Sequence, residues 1–264
     1  DKEAIVVARA GKPGGAPLRY ETHKFDDVRR DTDRIAAGLQ ALGITRGTKV
    51  ALFVRFGYDF VALVFALFKV GAVQVLIDPG MGVRNLLNCL DEVQPEGFVA
   101  VPEVHAARVM MRRRFARARH NVTVGRRWFW GGSTLAALRE SPATQFQSPE
   151  IDEDDLAAII FTSGSTGPAK GVAYRHGIFA AQVDQIRDRF AIQPGEIDMA
   201  CFPLFALFNC ALGVTTVIPA IDPSRPAAVD PQHLVDVANE RRITQAFASP
   251  AVWNRVGRHC EATG

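Results

Sequence analysis

Residues 156–172 read L-A-A-I-I-F-T-S-G-S-T-G-P-A-K-G-V. The apolar run Leu156–Phe161 predicts a buried strand, and Gly171–Tyr174 predicts a second, shorter strand. Between them, hydroxyl side chains are interleaved with glycines as far as Lys170. Glycine lets the backbone approach a ligand closely, and successive N–H groups in such turns converge on an anion. Together with the charge of Lys170, these donors predict a hairpin whose tip binds a polyphosphate.

A Walker A loop and an ordinary surface turn are the alternatives to a phosphate-binding hairpin. A Walker A loop has glycine before its lysine and Ser or Thr after it, but here Ala169 precedes Lys170 and Gly171 follows it. A Walker A loop is also followed by a helix, whereas a strand is predicted here. The spacing and the predicted strand together argue against a P-loop kinase. Ordinary surface turns seldom combine four hydroxyls, three glycines and a lysine, so we favour phosphate binding.

The loop closely resembles the signature loop of the adenylate-forming superfamily, in which a strand is followed by S/T-S-G-S/T-T-G-x-P-K-G-V. Pro168 and Ala169 invert the usual order of the two residues before the lysine. The resemblance implies that the loop holds the β- and γ-phosphates of ATP while a carboxylate attacks the α-phosphorus. The phosphate-binding residues that match this pattern are Thr162, Ser163, Gly164, Ser165, Thr166, Gly167 and Lys170.

Outside the loop, the clearest pattern is a strand at Val50–Val54, a helix at Tyr58–Val70 and a strand at Ala72–Ile77. This spacing is typical of a βαβ unit, which requires a parallel sheet. The sequence therefore predicts an α/β protein of mostly parallel β-sheets flanked by helices on both faces. The superfamily resemblance implies the N-terminal domain of the acetyl-CoA synthetase-like fold.

The resemblance extends over nearly the whole chain and implies that residues 1–264 form an incomplete N-terminal adenylation domain. Approximate subregions 1–150 and 151–264 are expected, with their sheets interleaved in sequence, and the C-terminal lid domain is expected to be absent. The superfamily's Mg²⁺ ligands, ribose-binding residue and catalytic lysine are expected beyond Gly264. No catalytic residue and no metal ligand is therefore assigned to this chain.

The composition is that of a globular protein, with 48% apolar and 22% charged residues and a net charge of +3. The four cysteines are scattered, so we expect neither a disulfide framework nor a cysteine metal site. Charged residues interrupt the most apolar region, Val50–Ile77, so no transmembrane segment is expected. Reduced thiols and the lack of a signal-peptide pattern predict a cytoplasmic protein.

The segment Val104–Arg119 contains six arginines. One interpretation is a patch for nucleic acid, membrane phosphates or an acidic partner. The other is a solvated helix with Met110, Met111 and Phe115 turned inward. We favour the helix and expect no nucleic-acid partner, because no aromatic interleaving or nucleic-acid motif accompanies the arginines.

Two further polar features lie next to the hairpin. The acidic run Asp152–Asp155 precedes the first strand, at the end remote from the loop. We therefore expect a solvated strand start there rather than a set of magnesium ligands. His176 begins the helix that follows the hairpin, and its expected role is positional.

The apolar segment Leu204–Gly213 reads as a buried helix whose only strongly polar side chain is Asn209. It resembles the superfamily segment that borders the acyl pocket, and Ala206 stands where acyl-CoA synthetases often carry histidine. The apolar wall favours a fatty chain over an amino acid, whose ammonium group would need a buried carboxylate. By this resemblance, the candidate pocket residues are Phe205, Phe208, Asn209 and Gly213.

Within the superfamily, the wording of both motifs is most similar to the OleC-type β-lactone synthetases of bacterial olefin synthesis and to long-chain fatty acyl-CoA synthetases. The first resemblance implies conversion of a long-chain β-hydroxy acid to a β-lactone with ATP and Mg²⁺, beside partner enzymes of an olefin pathway. The alternative is a fatty acyl-CoA synthetase that uses coenzyme A. A noncatalytic nucleotide-binding protein is a third hypothesis, against which the intact loop and Lys170 argue.

Overall fold

The computed structural model describes residues 2–9, 18–162 and 169–263. Within these ranges the chain forms twelve β-strands and nine α-helices. The strands are β1 (Glu3–Arg9), β2 (Arg19–Lys24), β3 (Lys49–Phe53), β4 (Val73–Ile77), β5 (Gly97–Ala100), β6 (His120–Thr123), β7 (Ser133–Thr134), β8 (Leu156–Thr162), β9 (Lys170–Arg175), β10 (Ile197–Ala200), β11 (Thr215–Ile218) and β12 (Gln245–Phe247). The helices are α1 (Phe25–Ala41), α2 (Tyr58–Lys69), α3 (Val83–Val93), α4 (Pro102–Met110), α5 (Leu135–Arg139), α6 (His176–Phe190), α7 (Pro203–Leu212), α8 (Pro231–Glu240) and α9 (Pro250–Thr263).

Seven strands form one sheet in the order β7-β6-β5-β3-β4-β8-β9. All neighbours pair in parallel except β8 and β9, which form an antiparallel hairpin. Helices cover both faces of this sheet, as two consecutive residues of β4 show. Gln74 Nε2 donates to the Val64 carbonyl in α2 at 3.2 Å, whereas Val75 packs in the cluster that contains Leu90 of α3. The predicted α/β class with mostly parallel, helix-flanked sheets is confirmed.

The second sheet has five strands in the order β12-β10-β11-β1-β2, and only β1 and β2 pair antiparallel. Met199 of β10 and Val217 of β11 pack with Leu234 of α8. A separate cluster joins Leu212 at the end of α7 to Ile186 of α6. Apolar residues on the strands are thus covered by the apolar sides of helices, which is how an α/β layer buries its core.

Residue contacts divide the chain into two units. The first comprises Asp1–Val28, Phe56–Val61 and Gln182–Gly264, and the second comprises Arg29–Arg55 and Ala62–Ala181. The boundary near residue 150 that the sequence suggested falls inside the second unit, because β8 pairs with β4 and extends that unit's sheet.

The apolar region that the sequence singled out, Val50–Ile77, consists of parts of β3, α2 and β4. Along α2, consecutive residues from Val61 to Val64 are fully buried. In the described ranges, no helix is both long and apolar enough to cross a membrane.

The arginine-rich helix is shorter than the sequence predicted. α4 ends at Met110, and the chain continues in turns to residue 117. It must turn there because Glu96, just before β5, accepts backbone hydrogen bonds from Arg119 and His120 at the start of β6. Phe115 is buried as expected, but Met110 is 86% exposed, which corrects the prediction that it turns inward.

Candidate functional site

The phosphate-binding prediction falls on the hairpin of β8 and β9. Thr162 is the register partner of Lys170, so the two strands meet directly below the loop. Lys170 is exposed at the start of β9. The candidates Ser163, Gly164, Ser165, Thr166 and Gly167 lie outside the described residues, as does the side chain of Thr162. The predicted strand–loop–strand arrangement is confirmed, and it excludes the strand–helix geometry of a Walker A loop.

Gly171 has a packing role that the sequence did not reveal. A Cβ atom at this position would lie 3.0 Å from Ile159 Cγ2 and 3.0 Å from Phe161 Cζ. Both residues belong to β8, and Phe161 is almost fully buried in the core of the sheet. Glycine therefore allows β9 to lie closely over β8 beside Lys170.

The acidic run lies at the other end of the hairpin, where Leu156 pairs with Arg175. Asp154 accepts a hydrogen bond from Arg175 at 2.9 Å, and Asp155 accepts one from Arg46 at 2.6 Å. The Arg46 guanidinium holds the pKa of the Asp155 carboxyl below its usual value. These carboxylates thus form ion pairs at the start of β8, where the sequence had predicted only a solvated strand start. In the described part of the chain, no group of three or more His, Cys, Asp or Glu side chains is placed to hold a metal.

His176 directly follows β9 and begins α6. Its backbone N–H donates to the Asp155 carbonyl at 3.0 Å, and its ring packs edge-on against Phe68 with centroids 5.6 Å apart. Its Nε2 is buried without a hydrogen-bond partner among the described residues. Burial lowers the pKa of His176, with Asp155 opposing this effect. A neutral ring packed on Phe68 fits the positional role expected of it.

The candidate acyl wall lies on α7. Pro203 occupies the first turn, and Gly213, with φ of 71°, ends the helix in the left-handed conformation that favours glycine. Phe205 and Phe208 are one turn apart, and their rings make an edge-on contact with centroids 5.9 Å apart. The Phe205 ring also stacks on Phe247, with centroids 3.4 Å apart and planes 15° apart.

Asn209, the fourth acyl-site candidate, is 5% exposed and points into the sheet rather than along the exposed side of α7. Its Nδ2 donates to Asp198 Oδ2 at 2.6 Å. Asp198 lies in β10 and is 4% exposed. Burial raises the pKa of Asp198 to about 6, and the hydrogen bond from Asn209 partly opposes the rise. A carboxylate is thus buried beneath the helix that carries both phenylalanines.

Comparison with known proteins identifies the family to which this chain belongs. The family model described as AMP-binding enzyme matches residues 1–263. The chain belongs to the AMP-binding enzyme family.

Curated relatives of this AMP-binding enzyme include two proteins named olefin β-lactone synthetase. One, from Stenotrophomonas maltophilia, is 45% identical over 254 residues, which are 95% of this chain and 46% of the relative. The other, from Xanthomonas campestris pv. campestris, is 47% identical over 252 residues, which are 95% of this chain and 45% of the relative. An L-proline–[L-prolyl-carrier protein] ligase from Pseudomonas fluorescens is 29% identical over 82% of this chain and 43% of its own. The chain therefore spans about half the length of the curated relatives it matches.

Solved structures show the same fold. A long-chain-fatty-acid-CoA ligase from Archaeoglobus fulgidus superposes with a TM-score of 0.83 over 99% of this chain and 51% of its own, at 21% sequence identity. The apo structure of MbtA from Mycobacterium smegmatis gives a TM-score of 0.80 over 98% of this chain and 47% of its own, at 20% identity. At these identities the likeness concerns the fold.

In this AMP-binding enzyme the structure brings Thr162 and Lys170 together, and it brings Phe205 and Phe208 together. Sequence reasoning did not single out Asp198, which the structure places in β10. The sequence does contain one indication of its burial: Asp198 is a single acidic residue between Ile197 and Met199, at the start of an apolar segment. A charged residue inside a buried strand calls for a specific partner.

Proposed function

We propose that this chain is part of an olefin β-lactone synthetase that uses ATP to activate a long-chain β-hydroxy fatty acid. The single observation that carries the proposal is the β8–β9 hairpin, whose register places Lys170 opposite Thr162 at the base of the Ser/Thr/Gly loop. The two relatives of that name, at 45% and 47% identity, favour this member of the family over others.

In the first step, a carboxylate oxygen of the acid attacks the α-phosphorus of ATP. A new P–O bond forms, the bond to the β-phosphate breaks, and pyrophosphate leaves. Negative charge develops on the phosphate oxygens, so the preorganised donors of the loop and the Lys170 ammonium stabilise the transition state. Mg²⁺ would neutralise phosphate charge when bound. The described residues offer no ligand set for it, so no step is assigned to the metal here.

In the second step, the β-hydroxyl oxygen attacks the carbonyl carbon of the acyl-adenylate. The C–O bond to AMP breaks, AMP leaves, and the hydroxyl proton passes to solvent, which gives the four-membered lactone. The nucleophile belongs to the same molecule as the electrophile, so its effective molarity is high. No second substrate has to be bound for this reaction.

The environment of α7 favours a fatty chain over an amino acid. Phe205 and Phe208 present aromatic rings, and α7 contains no charged side chain. The buried carboxylate of Asp198 already accepts the Asn209 amide at 2.6 Å, so it is not offered to a substrate ammonium group.

A second candidate function is fatty acyl-CoA synthesis, in which coenzyme A replaces the internal hydroxyl as the acceptor. It is favoured by the fold shared with a long-chain-fatty-acid-CoA ligase. We place either reaction in the cytoplasm, where ATP is available, and expect olefin-pathway enzymes to consume the lactone.

The deciding experiment incubates the natural full-length protein with ATP, Mg²⁺ and a long-chain β-hydroxy acid, with and without coenzyme A. Lactone, AMP and pyrophosphate are expected in equal amounts in both samples. A matched acid without the hydroxyl should give pyrophosphate exchange but no lactone. Formation of thioester alone, only when coenzyme A is present, would establish the second candidate instead.

A further inference from the structure

Beneath α7, the five-stranded sheet carries a row of polar side chains. Asp198 of β10 is the register partner of Thr216 on β11 and of Gln245 on β12. Residues paired in this way point to the same face of a sheet. Asn209 reaches the row from α7, and Thr216 is fully buried with a hydroxyl that has no partner among the described residues. The Asn209 amide is therefore what stabilises the Asp198 carboxylate.

The elements around this pair bring no charged group to it in the described part of the chain. α7, β11 and β12 contain no Asp, Glu, Lys, Arg or His. Cys210 is the titratable side chain of α7, and burial raises its pKa to about 12, so it stays neutral. Burial likewise raises the pKa of Cys201 to about 12, with the Asp198 charge a smaller cause. The charged residues of α6 are exposed, namely Asp184, Arg187, Asp188 and Arg189.

A buried carboxylate in such surroundings costs folding free energy that an apolar residue of similar volume would not cost. The carboxylate also makes the packing specific, because its hydrogen bond to the Asn209 amide requires a particular position and orientation of α7 on the sheet. The other contacts of α7 are apolar and tolerate sliding more easily. The pair is thus suited to fixing where α7 lies.

We propose that Asp198 is a positioning residue that holds α7, through Asn209, in the setting that aligns the Phe205 and Phe208 rings for the acyl chain. The inference rests on the proposed function, since it takes these rings as part of the acyl site.

The spacing along α7 supports this role. Asn209 is the residue after Phe208 and lies one turn beyond Phe205, so its hydrogen bond fixes the same turn of helix that carries both rings. A shift of that turn would disrupt the stack of Phe205 on Phe247, whose centroids are 3.4 Å apart.

The experiment exchanges the two side chains. In the natural full-length protein, Asn209→Asp places two carboxylates in contact, and we expect the KM for the β-hydroxy acid to rise at least tenfold while the KM for ATP stays within twofold. The double variant Asp198→Asn/Asn209→Asp restores a carboxylate–amide pair in the reverse sense. Its KM for the acid should return to within about threefold of wild type, as expected when a hydrogen bond to a charged group is rebuilt. Both constants are measured by acid-dependent ATP–pyrophosphate exchange.

Thr216→Val is the matched control, because it alters a buried side chain in the same row whose hydroxyl makes no hydrogen bond to the pair. Its KM for the acid should stay within twofold of wild type. If Asn209→Asp does not fold, Asp198→Asn alone decides: it keeps the shape, weakens the hydrogen bond, and should raise the KM for the acid three- to tenfold. A double variant that is no better than Asn209→Asp, or an Asp198→Asn protein with unchanged KM for the acid, overturns the positioning role.

Failure of the proposed function has a different signature. If the wild-type protein shows no acid-dependent exchange, both the function and the role of Asp198 in it are rejected. If wild type exchanges normally and the swap gives no rescue, only the positioning role is rejected.

Discussion

Thr162 and Lys170 are register partners at the loop end of the β8–β9 hairpin. Opposed residues of an antiparallel pair lie about 5 Å apart, so both ends of the loop are anchored at nearly one point. Lys170 consequently stands at the base of the loop, on a strand whose position is fixed by the sheet. The Lys170 side chain is thereby held next to the loop that the sequence predicts to bind phosphate.

The first prediction concerns this cation. Lys170→Ala should lower the rate of ATP–pyrophosphate exchange about 10²- to 10³-fold, because it removes a preorganised donor from the site where transition-state charge develops. Arg175→Ala is the matched control: Arg175 is an exposed cation at the other end of the same strand, paired with Asp154. Its exchange rate should stay within twofold of wild type. An unchanged rate in Lys170→Ala would remove the loop from the mechanism.

The second prediction concerns the acyl wall. Phe205→Ala removes a ring that stacks on Phe247, and it should raise the KM for a long-chain acid roughly tenfold through lost apolar contact. The KM for ATP should not change. Phe190→Ala is the control, since Phe190 ends α6 with 72% of its surface exposed, and its kinetics should match wild type. An equal rise for short-chain and long-chain acids would contradict a role for Phe205 in chain binding.

The third prediction compares the effect on stability of alanine substitutions at two glycines that differ in backbone conformation. Gly213 has φ of 71°, and an added Cβ would lie 3.3 Å from Pro194 Cβ. Gly213→Ala should therefore lower the free energy of unfolding by about 1–3 kcal/mol. Gly257 lies within α9 and its added Cβ would meet nothing within 4 Å, so Gly257→Ala should raise that free energy by about 0.5–1 kcal/mol. Urea denaturation measures both values, and shifts of the same sign would show that the conformation of Gly213 is not what matters.

The fourth prediction concerns the pH dependence of stability. The ordinary pKa of an aspartate is 3.8, and burial raises that of Asp198 to about 6. Because the folded state holds the proton more tightly, wild type loses stability as pH rises from about 4 to about 6. Asparagine does not titrate, so the unfolding free energy of Asp198→Asn relative to wild type should increase by about 2 kcal/mol between pH 4 and pH 7.

Denaturation curves at both pH values test this difference. Thr216→Val should show the same pH dependence as wild type, because Thr216 does not titrate. Parallel curves for Asp198→Asn and wild type would mean that the Asp198 carboxyl keeps its ordinary pKa. Together with the exchange kinetics, the expected outcome is a variant that is more stable at pH 7 but binds the acid less well.

Local patterns were enough to predict much of the fold. The helix predicted at Tyr58–Val70 begins at the same residue in the structure and ends one residue earlier, at Lys69. The hairpin that contains Lys170 was predicted from the glycines and hydroxyls between two apolar runs. Such features depend on residues close in sequence, whose periodicity can be read directly.

Features that depend on distant partners were not predicted. The stack of Phe205 on Phe247 joins the start of α7 to β12, and β1 pairs with β11 from the other end of the chain. The early end of α4 follows from hydrogen bonds to Glu96, and the burial of Asp198 follows from Asn209 on the next helix. Contacts between residues that are distant in sequence produce no periodic pattern, so they could be identified only from the structure.

Among the described strands, β9 pairs with β8 alone, and four of its first five residues lie exposed. A segment joined to the sheet along a single ladder can be replaced without disturbing the parallel strands behind it. The hairpin is therefore a natural unit for grafting: a different loop spliced between Thr162 and Lys170 would leave the parallel strands of the scaffold in place.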